Sequence, residues 1–152
     1  MLYEKGSKCR CSAAEIRRYL SKISGPFLER IDLFSEMRMV SGDDMASIYI
    51  DDSKGKSQDY RITVERCWQI AHERYGENNL DGTFPEGDLR DSMRIPEKVI
   101  RFASDLSEKG FFSARGFTRI LRVARTIADI NEAVDVSEGD VAEAIQYRLR
   151  GY

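Results

Sequence analysis

The chain is 152 residues long, with 41% hydrophobic and 33% charged residues, which is the composition of a folded globular protein and not of a disordered tail. Twenty-four basic and 26 acidic side chains leave no bulk charge for generic polyanion binding, and no window reaches the roughly 18 apolar residues of a membrane span. A single histidine excludes an HExxH metalloprotease or multi-histidine metal site, and three cysteines, two of them as C-x-C, make no disulfide framework.

The opening residues MLYEKGSKCRCS have neither the apolar run of a secretory signal nor the acid-free, amphipathic look of a transit peptide, so a cytoplasmic chain is expected. Ser12 and Glu15 then have capping-box spacing, and Ile16, Tyr19, Leu20 and Ile23 recur on one face of a predicted helix. Ser24-Gly25-Pro26 breaks it. Pro26 suits the first turn of a second, short helix through Phe27, Leu28 and Ile31. Leu33, Met37 and Met39 next alternate with Phe34, Glu36 and Arg38, which predicts a strand over 31–40. A lone strand cannot satisfy its own edges, and the only further candidate is Ala46 to Ile50, so 1–40 reads as the αβ end of something larger.

Residues 51–57, DDSKGKS, have no periodicity and read as linker, with the boundary near residue 56. Tyr60, Val64, Cys67, Trp68, Ala71 and Tyr75 fall on one stripe of the next predicted helix, and Gly76 is its stop. The stretch 76–90, rich in Gly and Asn, reads as loop with a short helix beginning near Glu86. Pro96 opens a helix carrying Val99, Phe102, Ala103 and Leu106 inward and ending at Gly110. Ser113 caps a longer one with Phe117, Ile120, Leu121, Ala124, Ile127 and Ala128 on its core face, running to about Ile130. Ser137 and Asp140 open the last, with Val141, Ile145 and Leu149 inward. The expected fold class is mainly α, a four-helix-like bundle over about 57–150 preceded by a short αβ remnant.

Several constellations have chemical readings. Arg115, Arg119 and Arg122 lie at i, i+4 and i+7, so three guanidiniums share one stripe, able to hold a phosphate or to form a solvated face with ion pairs such as Arg125 with Asp129. Arg30, between a short helix and the predicted strand, can bring a planar permanent charge to a phosphoryl-transfer site or pair with Glu29 or Asp32. Cys9 and Cys11 supply half the thiolates of a zinc site, too few to bind the metal well. Cys67 reads as a small core residue, and His72, with no cysteine or serine at motif spacing, reads as a surface or boundary residue. There is no GxxxxGK[ST] phosphate loop, no GxGxxG after a strand and no GxSxG elbow.

The phrases CRCSAAEIRRYLSKISGPFLERIDL, SARGFTRILRVARTIADI and EAIQYR resemble the C-terminal part of the magnesium-chelatase-related AAA+ ATPases, the ComM/YifB-like proteins. The resemblance covers roughly 9–40 and 96–150, and 41–95 matches only in its helix and loop pattern. It implies three regions: the end of an AAA+ core over 1–40, a linker over 41–56 and a helical lid domain over 57–152. It implies further that Arg30 of LERID is an arginine finger reaching a neighbouring subunit's ATP. Arg115 of SARG is by the same resemblance the sensor-2 arginine, contacting the phosphate of ATP held by its own subunit. Arg119 and Arg122 match no catalytic role, and Cys9 and Cys11 match the second half of a C-P-C-G … C-x-C pattern. Glu29 stands where the family usually has aspartate, and Phe34 where many members have histidine.

The cofactors implied for the full-length parent are ATP and Mg2+, and its partners the remaining AAA+ core, the neighbours in a homo-oligomeric ring and DNA, with no membrane. The segment alone is expected neither to bind ATP well nor to hydrolyse it. Two other readings stand beside this one: the ATPase subunit of a metal chelatase, and a non-catalytic helical interaction module.

Overall fold

A serine followed three residues later by a carboxylate opens three of the helices in this chain. The computed structural model describes residues 11–28, 30–35, 37, 40–50, 56–76 and 89–148; among them are eight helices and no strand. Helix α1 spans Ala13–Leu20, α2 Gly25–Leu28 and α3 Gly42–Ile50. At α1 the Ser12 backbone N–H donates to Glu15 at 2.7 Å while the Glu15 N–H donates back to the Ser12 hydroxyl at 3.3 Å. Ser41 and Asp44 form the same reciprocal pair at α3, at 3.1 and 3.0 Å. Each box satisfies two backbone groups that a helix start otherwise leaves open.

These bonds hold the Glu15 carboxyl below its ordinary range, chiefly through the Ser12 backbone N–H, and the Asp44 carboxyl below its own, chiefly through the Ser41 hydroxyl. A carboxyl depressed in the folded state contributes stability that is present above its unfolded pKa of about 4 and is lost as pH falls through the lower folded value. Residue-resolved helicity of α1 and α3 is therefore expected to decline as the solution is acidified below about pH 4. Helicity in both that stays constant down to about pH 2 would contradict the capping assignment.

The strand expected over 31–40 is absent among the described residues of that stretch. Residues 31–35, 37 and 40 are described and irregular, while 36, 38 and 39 lie outside the described residues. Alternation predicts a face, but a strand also needs a partner edge, and the second candidate, Ala46 to Ile50, is the end of α3. Helix α3 also occupies much of 41–56, the stretch read from sequence as linker. The short helix after Pro26 is confined to Gly25–Leu28 and runs out in turn bonds from Arg30 N–H to Phe27 O and from Ile31 N–H to Leu28 O. Tyr19 and Ile23, on the apolar stripe of the first helix, are exposed.

The C-terminal bundle comprises α4 (Lys56–Tyr75), α5 (Leu89–Ser92), α6 (Glu97–Glu108), α7 (Ala114–Ile130) and α8 (Glu138–Gln146). Helix α7 is its axis, packing against α4, α6 and α8, and α6 also meets α8. Val99 and Ala103 of α6, Ile120, Leu121, Ala124 and Ala128 of α7, and Val141, Ala144 and Ile145 of α8 are buried together, as their spacing predicts. Ser137 and Asp140 cap α8 reciprocally at 2.8 and 3.2 Å. Leu149, expected inward, lies outside the described residues, as does Glu86.

Helix α4 departs from expectation. Of its apolar stripe only Ala71 is buried; Cys67 and Tyr75 are half-buried, and Tyr60, Val64 and Trp68 are exposed, Trp68 at 56%. Twenty residues make a rod of about 30 Å, and its main contact within the bundle is with α7. That contact draws on its C-terminal half, where Arg66 pairs with Glu132 at 2.6 Å and Arg74 with Asp129.

Three helices end in one way. After α5, α6 and α7, respectively, Arg94, Gly110 and Glu132 adopt a positive φ of 50°, 81° and 56°. In each case the following N–H reaches back five residues: Ile95 to Arg90, Phe111 to Leu106 and Ala133 to Ala128. This Schellman closure favours glycine at the left-handed position. Gly110 was legible as a stop for that reason, whereas Arg94 and Glu132 carry no such sign.

The α7 stop serves a buried ionic cluster. Arg125 is fully buried and Asp129 2% exposed. Arg125 donates through Nη2 to Asp129 at 2.8 Å and to Ala133 O at 2.7 Å, and through Nη1 to Val134 O at 2.9 Å and Met93 O at 3.2 Å. Arg74 approaches the same carboxylate from α4, donating from Nη1 at 2.8 Å and also from Nη2. Burial works against the charge on Arg74, but the bonds and charge of Asp129, aided by Tyr75, outweigh it and raise its pKa. The Arg125 to Asp129 pair expected on a solvated face thus exists, but in the core.

Candidate functional site

Ser113 stands in extended conformation before α7 and its hydroxyl accepts the Gly116 N–H at 3.3 Å. Arg115 therefore sits in the first turn of a capped helix, and it is exposed. Unlike Arg125 and Arg74, it is not committed to the core. The stripe read as Arg115, Arg119 and Arg122 is present along α7, with Arg119 and Arg122 half-buried.

The structure shows what Arg119 does. Its Nη1 donates to the backbone oxygen of Arg30 at 2.7 Å and also to the Asp32 carboxylate. Asp32 thus pairs with Arg119, one of the two partners that spacing offered to Arg30 being engaged elsewhere; the other, Glu29, lies outside the described residues. Arg148, just past α8, donates to Ile31 O. The Phe34 N–H donates to Tyr147 O at 2.7 Å, satisfying one of the carbonyls that a helix end leaves open. Residues 30–34 thereby lie along the end of the bundle where the start of α7 meets the end of α8.

This docking explains the missing strand. Three backbone groups that would seek a neighbouring strand, the carbonyls of Arg30 and Ile31 and the N–H of Phe34, are taken by side chains and a helix end. Gly116 makes room beside it: a Cβ there would lie 3.2 Å from Phe112 Cβ and 3.7 Å from Arg148 Nη2. The Arg30 side chain itself is exposed. The two arginines singled out by sequence are thus surface groups on two elements that Arg119 joins, one turn along α7 from Arg115.

Sequence reasoning missed the roles of Arg119 and Arg148. The i, i+4 relation of Arg115 to Arg119 was readable, but their acceptors are far away in the chain, and no local period encodes such a pairing. His72 is exposed, as expected of a surface residue, and Cys67 is half-buried. Cys11 is exposed, and Cys9 lies outside the described residues. Among the described residues no three carboxylate, thiol or imidazole groups converge as a metal site. Nor is any helix there long and apolar enough to cross a membrane. A surface hollow at the other end of α7, lined by Glu73, Arg74, Arg94 and Glu132 among others, mixes both signs of charge.

Comparison with known proteins accounts for both parts of the chain. Residues 54–148 match the family described as magnesium chelatase, subunit ChlI C-terminal, and residues 1–45 match magnesium chelatase, subunit ChlI. The YifB protein of Salmonella typhimurium is 32% identical over 146 residues, 95% of this chain and 28% of its own length. The competence protein ComM of Haemophilus influenzae is 31% identical over 144 residues, 94% of this chain and 27% of its own. The chain thus spans little more than a quarter of the length of these relatives. It belongs to the magnesium chelatase ChlI C-terminal family, with YifB and ComM among its relatives.

Proposed function

We propose that the chain is the lid and sensor region of a magnesium-chelatase-related AAA+ ATPase that works as a homo-oligomeric ring in the cytoplasm. The observation that carries this reading is the exposure of Arg30 and Arg115 on two elements tied together through Arg119. Planar, permanently charged groups held at a surface match phosphate oxygens, and committed core guanidiniums do not. ATP with Mg2+ supplies the phosphoryl group to be transferred. Arg115 contacts that nucleotide from the lid of its own subunit. Arg30 acts on the neighbour's, stabilising charge that develops on the phosphoryl group.

The client proposed for the parent is DNA, remodelled by branch migration during recombination or transformation, which accords with the name of the competence protein ComM. A second reading, an ATPase serving metal insertion, is favoured by the family's own description as a magnesium chelatase subunit.

The test is ATP turnover by the full-length protein with and without Arg115→Ala. A hydrogen bond to a charged group contributes about 1.5–3 kcal/mol. Its loss should therefore reduce turnover or nucleotide-dependent lid closure by about ten- to a hundredfold. Unchanged turnover and unchanged closure would remove Arg115 from the site.

A further inference from the structure

The four bonds that dock residues 30–34 are chemically unequal, and their pattern is informative. Arg119 spends one guanidinium nitrogen on both a backbone carbonyl and a carboxylate two residues on. A charge-assisted bond to a carbonyl fixes the peptide plane next to the side chain that follows from the same Cα, so the direction in which Arg30 leaves the surface is set by α7. Arg148 repeats this at the next carbonyl, and Tyr147 O closes the segment at Phe34. Two of these anchors lie at the end of α8 and one on α7, which pack together. Residues 30–34 are therefore attached to the lid rather than suspended between two bodies.

We propose that Arg119 and Arg148 are positioning residues that clasp the Arg30 segment to the lid, so that movement of α7 set by nucleotide at Arg115 is delivered to Arg30 at the neighbouring subunit. This rests on the roles given above to Arg30 and Arg115. Arg115 and Arg119 are four residues apart on one rigid helix, hence one turn from sensor to clasp. The clasp then carries the motion to the Arg30 backbone through the Arg119 and Arg148 guanidiniums. A shift of the lid in one subunit moves the charge offered to the next, which is a coupling between sites through a contiguous set of bonds.

The experiment compares full-length wild type with Arg119→Ala, Arg148→Ala and Asp32→Asn. Two quantities are read: amide hydrogen exchange at Phe34, and ATP turnover beside ATP affinity. Asp32→Asn weakens the same clasp from outside the helical core, so a folding defect of the bundle does not imitate it. Expected are exchange at Phe34 faster by about tenfold, reporting local opening, and kcat lower by about tenfold with ATP Kd within about twofold. A merely structural contact would leave that split of kcat from Kd unmoved. Exchange at Phe34 unchanged in all three variants overturns the clasp. Faster exchange with undiminished kcat overturns the coupling. Undiminished turnover in Arg30→Ala would instead remove the finger role and with it delivery to the neighbour, while exchange at Phe34 would still decide the clasp.

Discussion

Arg30→Ala in the full-length protein is expected to lower ATP turnover by the assembled ring by about a thousandfold, with ATP affinity changed by less than about twofold. The asymmetry follows from where the group acts. A guanidinium reaching in from a neighbour meets charge that appears on the phosphoryl group only as the bond breaks, so it stabilises the transition state more than bound nucleotide. In this chain the backbone of Arg30 is held by Arg119 while its side chain is exposed, and alanine removes the exposed charge without touching the carbonyl that docks. Because the proposed action is on the neighbour, mixing is decisive. Arg30→Ala subunits combined with subunits disabled in their own nucleotide site should regain turnover that neither has alone. Recovery that fails in every mixing ratio, or ATP affinity lost in step with turnover, would argue against action in trans.

The largest expected effect on stability lies elsewhere. Asp129→Asn leaves two guanidiniums, one fully buried and one with its side chain 9% exposed, without the carboxylate between them. Breaking a buried pair by removing one partner costs about 3–5 kcal/mol. Arg125 keeps its three carbonyl acceptors, which prevents total loss of satisfaction but does not neutralise its charge. By contrast, the exposed pairs Arg61 with Glu65 and Glu97 with Arg101 should contribute less than about 1 kcal/mol each. Chemical denaturation of Asp129→Asn and Glu65→Gln side by side measures the difference. Equal midpoints would show that the cluster is as weak as a surface pair.

What the sequence made readable was whatever is decided within one turn of chain. Ser12 with Glu15 and Ser137 with Asp140 announced helix starts because both halves of the box are three residues apart, and Gly110 announced a stop because glycine suits a left-handed end. The α6, α7 and α8 stripes were readable because the faces they define are buried against one another in the core. Helix α4 has the same periodicity, yet Tyr60, Val64 and Trp68 are exposed, because spacing defines a face and not what covers it. The strand is absent among the described residues of 31–40 for a related reason: alternation was present, but the backbone of 30–34 found guanidiniums and a helix end instead of an edge. The family phrases pointed to Arg30 and Arg115, whereas the pairing of Arg119 with Asp32 is a tertiary event that no local window contains.

Arg125 also constrains the order of events as the chain folds. Its acceptors come from Met93, from Asp129 on its own helix and from the turn at Ala133 and Val134. A half-assembled bundle with α7 packed on α6 but lacking that turn would hold a dehydrated cation with two of its four bonds unmade. Such an intermediate is disfavoured by the two missing bonds, each of about 1.5–3 kcal/mol for a hydrogen bond to a charged group. The guanidinium is therefore expected to keep its water until both flanking segments arrive, and residues 89–148 to unfold in one transition with coincident midpoints for helicity and for tertiary packing.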